Sequence, residues 1–120
     1  MEAAPDAATM LDLHAAHVRA IAERSALLAC AVQHAAASDL AVAQLWELMT
    51  SNRRTGVHWA ATTLLAKPEV VGLDFDEVLE AFWVALNWGT YRTLTGELGM
   101  TPDAFEAWLR RYYRRMFLGS

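Results

Sequence analysis

Apolar and polar residues recur at helical spacing along almost all of this 120-residue chain, in four segments. From Thr9 to about Ala37 an alanine-rich run places Leu13, Val18, Ile21, Leu28 and Val32 where they predict one stripe of a first helix. Thr9 and Asp12 have the form of a capping box at its start. Ser38 and Asp39 interrupt the apolar run and can cap a second helix over roughly residues 40–66. Its predicted inner face carries Leu45, Trp46, Met49, Trp59, Thr63 and Leu64. Gly56 lies inside that helix at a cost of about 1 kcal/mol relative to alanine, which points to a bend, a close helix crossing or space left for a ligand.

Pro68 places a loop over Lys67–Asp74, since proline cannot continue a helix. Asp74 with Glu77 caps a third helix, and Leu73 and Val78 form its hydrophobic staple. This helix is predicted to reach about Leu98, roughly 35 Å. Its apolar residues, among them Phe75, Val78, Leu79, Phe82, Trp83, Leu86, Tyr91 and Leu94, occupy more than one side, which calls for a second subunit to cover them. Gly99 closes it, Thr101 caps the next helix, and Pro102 takes the first position. Met100 and Phe105 form a further staple, and Phe105, Trp108, Leu109, Tyr112, Tyr113, Met116 and Phe117 give the last helix a broad apolar face. Residues 1–8 predict a flexible start, and residues 9–118 a single all-α domain.

Composition narrows the function. With 14 acidic and 10 basic side chains the net charge is −4, which offers no electrostatic footprint for duplex DNA. Arg110, Arg111, Arg114 and Arg115 cluster on the last helix, where they would complement its dipole and keep an aromatic helix soluble, with a phosphate- or nucleic-acid-binding patch as the alternative. No uninterrupted apolar run of about 18 residues suggests a membrane span, and the start lacks a secretory pattern. A single cysteine, Cys30, fits a reducing cytoplasm and lies in an apolar segment where it acts as a small hydrophobe. His14 and His17 are three apart, but no third ligand completes a metal set, so neither a metal nor a cofactor is expected. Nucleophile elbow, phosphate loop and dinucleotide fingerprint are all missing. Five tryptophans are a heavy load for this length. Trp59, Trp83 and Trp88 suit the walls of a pocket for a hydrophobic or aromatic small molecule. Met49 lies on the same second helix, and His14, Asn52, Arg53, His58, Asn87 and Tyr91 are the candidate polar anchors.

The stretch YRTLTGELGMTPDAFEAWLRRYYRRMF (Tyr91–Phe117), the segment LLACAVQHAAASDLAVAQLW (residues 27–46) and the Arg53-Arg54 pair together resemble the C-terminal ligand-binding and dimerisation domain of TetR-type transcriptional regulators. The resemblance implies four main helices, the last two (residues 75–97 and 102–117) forming an intersubunit four-helix bundle. It would place Phe82, Leu94, Phe105, Trp108, Tyr112 and Met116 in a homodimer interface and the pocket between the first three helices. Asn87-Trp88-Gly89 stands where relatives often carry Ser-Pro. The roughly 50 upstream residues of a helix-turn-helix have no counterpart, so DNA binding through this chain is not expected. The start MEAAPDAATM favours a complete small protein over a fragment. Three functions follow: a small-molecule sensor; a small enzyme acting on a hydrophobic natural-product intermediate as a cyclase, isomerase or dehydratase, with His14, His58 and Tyr91 moving protons; or a heterodimerising modulator of full-length regulators.

Overall fold

The computed structural model describes residues 3–119, and among these no strand occurs. The first helix, α1 (Ala7–Ala35), starts two residues earlier than predicted, because Asp6 rather than Thr9 is its cap. The Asp6 carboxylate accepts the Thr9 backbone N–H at 2.7 Å, so Thr9 supplies the amide that the cap satisfies. The rotation of α1 also differs from the predicted stripe. Met10, Leu11, His14, Ala15, Val18, Ala22, Ala26 and Ala29 face inward, whereas Leu13 and Leu28 are exposed. Small side chains at a helix contact shorten the distance between axes, and the alanine face therefore takes the packed side. Of the predicted flexible start, residues 1 and 2 lie outside the described residues. Ala4 is held, since its carbonyl accepts from Lys67 Nζ at 2.8 Å.

Helix α2 (Leu40–Leu65) is capped as predicted by Asp39, whose carboxylate accepts the Ala41 and Val42 amides. Its buried residues, Val57, Ala60, Ala61, Thr63 and Leu64, all lie in its second half. The first half of α2 and the second half of α1 leave Leu27, Leu28, Leu40, Leu45 and Leu48 exposed, contrary to the inward place predicted for Leu45. Helix α3 (Phe75–Ala85) begins at the predicted Asp74 cap, which accepts the Glu77 amide at 2.8 Å.

The 35 Å third helix of the sequence reading does not form. It breaks at Leu86–Asn87, where Asn87 takes extended backbone and its side chain accepts the Gly89 N–H at 2.7 Å. An asparagine that captures a nearby amide competes with the helix ladder and starts a new one. Helix α4 (Trp88–Arg92) follows, then a π-helical segment (Thr93–Glu97). The Thr90 hydroxyl donates to the Val84 carbonyl at 2.8 Å and braces the break. Gly99, at φ +78°, makes the predicted closure, and the Met100 amide donates back to the Leu94 carbonyl at 3.0 Å. Thr101 caps α5 (Pro102–Phe117) through the Ala104 amide.

The aromatic face of α5 fills the chain's own core. Phe105, Leu109, Tyr113 and Phe117 pack with Phe82, Met10, Leu11, Val57, Leu64 and Val78. Phe82 meets Phe117 at 4.8 Å and Tyr113 at 5.3 Å between ring centroids. Phe82 and Phe105 are 0% exposed, so neither offers surface to a partner, in contrast to the interface expected for them. Leu94, Trp108 and Tyr112 are half-buried, and Met116 is 46% exposed. Two ion-paired arginines fix α1 against α5: Arg19 reaches Asp103 at 2.8 Å and Glu106 at 3.3 Å, and Arg114 reaches Asp12 at 3.0 Å. Among the described residues no helix is long and apolar enough to cross a membrane.

Candidate functional site

Helices α1, α2 and α4 border a half-open cavity of about 380 Å³. One face of α2 forms a wall, with Met49, Asn52, Gly56 and Trp59 in line and Arg53 beside them. Their spacing of three, four and three residues keeps them on one helical stripe. From α1 come His14, His17, Val18, Ile21 and Ala22. The break after α3 contributes Ala85, Leu86 and Asn87, α4 contributes Trp88 and Tyr91, and Phe105 closes the floor.

This placement sorts the predicted site residues. Met49, Asn52, Arg53, Trp59, Asn87 and Trp88 line the cavity, as do His14 and Tyr91. His58 does not: it sits a residue from Trp59, turned to another face of α2, and its ring meets that of Phe75 at a tilt of 59° with 5.0 Å between centroids. Trp83 is not in the lining either. Its ring lies against the Arg53 guanidinium, whose central carbon is 3.9 Å from the ring centroid and 5.4 Å from that of Trp88. Trp83 thus supports a lining residue instead of forming the wall. Of the readings that Gly56 allowed, a close helix crossing is not the one found: among the described residues nothing lies within 4 Å of where its Cβ would stand, and the glycine borders the cavity.

The most buried polar side chain lining the cavity is His14, 3% exposed, with its Nδ1 2.9 Å from the Tyr113 hydroxyl. Either neutral tautomer suits this bond, the hydroxyl donating in one and accepting in the other. Phe82 lies edge-on to the imidazole at 4.9 Å. Burial in these surroundings disfavours the imidazolium and, with the nearby His17, pushes the His14 pKa down to about 4. Burial pushes the Tyr113 phenol well up, so it keeps its proton. Tyr113 was not among the residues singled out for chemistry. No sequence signal joins it to His14, 99 positions away, because the pairing depends on how α5 crosses α1.

Arg53 is the second feature. Its Nε is buried without a hydrogen-bond partner, and among the described residues no carboxylate pairs with the guanidinium. Burial first, and then the neighbouring Arg54 charge, lower its pKa from the ordinary arginine value. Among the described residues no group of three or more His, Cys, Asp or Glu side chains is placed to hold a metal ion. Compared with known proteins, the chain matches no family model, no curated protein and no solved structure. Its function is therefore argued from the site.

Proposed function

We propose that this chain is a small-molecule-binding helical module of the TetR C-terminal type, acting in the cytoplasm as a homodimer and without DNA-binding ability of its own. The observation that carries the binding reading is the cavity, open to ligand and walled by Trp59, Trp88, Ile21, Met49 and Phe105. Its volume of about 380 Å³ falls within the range of sites for small organic ligands. Asn52, Arg53, Asn87 and Tyr91 supply the few polar groups such sites use for orientation.

Proton-transfer catalysis fits the same site poorly. The proposed trio of His14, His58 and Tyr91 is not assembled, since His58 faces elsewhere. A histidine with a pKa of about 4 is also too weak a base to be well matched to neutral pH. Binding is the stronger reading.

The support for a dimer is a groove between α3 and α5, lined by Leu73, Val84, Tyr112 and Met116. Glu77 and Glu80 flank it on α3, and Arg111 and Arg115 are exposed on α5. A two-fold axis that sets α3 of one protomer on α5 of the other would bring opposite charges together twice.

Native mass spectrometry of protein purified from its own host tests both parts. The expected result is a dimer carrying a small molecule that denaturation releases. A monomer with no bound molecule, from cells and after addition of hydrophobic compounds alike, would remove this function.

A further inference from the structure

We propose that the cavity takes an anionic aromatic ligand, a planar apolar body whose carboxylate or sulfonate pairs with the Arg53 guanidinium. This rests on the ligand-binding reading above and adds the charge and shape of the ligand. Among the described residues no Asp or Glu lines the cavity, and Arg53 is its one Lys or Arg. Three arginines elsewhere in the fold do find acids: Arg19, Arg110 and Arg114 each have a carboxylate within 3.0 Å. Arg53 has none among the described residues, and its Nε is buried and unpartnered.

The Arg53 guanidinium carbon lies 3.9 Å over the centroid of the Trp83 ring. A cation–π contact of this kind consumes none of the in-plane N–H donors as hydrogen bonds. A carboxylate or sulfonate meets that edge with paired charge-assisted bonds, while its ring fills the space between Trp59 and Trp88. A bare phosphate would gain the charge but leave the apolar walls unused, and a neutral ring would leave Arg53 unpaired.

The test uses two fluorescent probes that differ by one sulfonate, anilinonaphthalene sulfonate and neutral phenylnaphthylamine, titrated into the full chain. Three variants accompany the wild type: Arg53→Met, Arg54→Met as a neighbouring-charge control, and Gly56→Phe, which places a ring in the cavity. Circular dichroism confirms that each is folded, with Arg53→Gln replacing Arg53→Met if the latter is not. The sulfonate probe is expected to bind the wild type at least about tenfold tighter than the neutral one, the size of one charge-assisted interaction. Arg53→Met should bring the two to within about threefold of each other by weakening only the sulfonate probe. Arg54→Met should keep the preference, and Gly56→Phe should weaken both probes. A preference that survives loss of Arg53, or no preference in the wild type, overturns the proposal while leaving the cavity a binding site. Probe binding indifferent to Gly56→Phe overturns the binding reading itself, and this inference with it.

Discussion

Lowering the pH from 7 to 5 should destabilise this protein through His14. In the unfolded chain the imidazole has its ordinary pKa of 6.5; in the folded protein burial holds it at about 4. Between those values the unfolded state binds a proton that the folded state refuses, so stability falls as the pH falls. The contribution is fully present above pH 6.5, declines through pH 5, and is gone below about pH 4. Linkage gives a loss of about 2 kcal/mol between pH 7 and 5, and roughly 3 kcal/mol in all. That is a substantial part of the 5–15 kcal/mol typical of a whole domain. The Asp6 carboxylate, held below its ordinary value of 3.8 by the Thr9 amide, titrates under this window. Urea unfolding followed by circular dichroism at both pH values is the assay. With a slope of about 2 kcal/mol per molar, the midpoint should drop by about 1 M. His14→Gln keeps an acceptor for Tyr113 but cannot titrate, so its midpoint should be lower at pH 7 and change less on acidification. An equal drop in both proteins would refute the assignment of the acid sensitivity to His14.

Tyr113→Phe removes the hydroxyl that His14 Nδ1 meets at 2.9 Å and should cost about 1–2 kcal/mol in urea unfolding at pH 7. Gly56→Ala adds a methyl in open space and removes a helical glycine, so thermal unfolding should rise by a few degrees, for up to about 1 kcal/mol, with probe binding retained. Thr101→Ala deletes the cap of α5 and should destabilise by about 1 kcal/mol, read by the same melts. Val84→Glu adds a third acid beside Glu77 and Glu80 in the groove between α3 and α5, and for the dimer proposed above light scattering should show a shift to monomer.

The parts of the fold that were legible are those set by neighbours in sequence. Asp39, Asp74, Thr101 and Gly99 each act on an amide or a backbone angle within a few positions, and each does what its residue type requires. The same local chemistry was missed at Asp6 and Asn87. At Asn87 the apolar run from Phe82 to Leu94 reads as one helix, and only the side-chain bond to the Gly89 amide reveals the break. Part of the α2 wall of the cavity was legible as a group, because Met49, Asn52, Arg53 and Trp59 recur at helical spacing on one helix.

Rotation was not legible. An alanine-rich helix can bury either its leucines or its alanines, and α1 buries the alanines because the neighbouring helices crowd that side. The aromatic face of α5 presented a similar choice, and Phe105, Tyr113 and Phe117 went to the chain's own core. The sequence by itself determined the helical class, most of the caps and which α2 residues share a face, since these depend on short-range sterics and hydrogen bonds. Only the tertiary structure decided that His14 meets Tyr113, that Trp83 lies against Arg53, and that His58 turns away from the cavity. Those contacts depend on how whole helices cross, and crossing is set by the packing of every side chain between them.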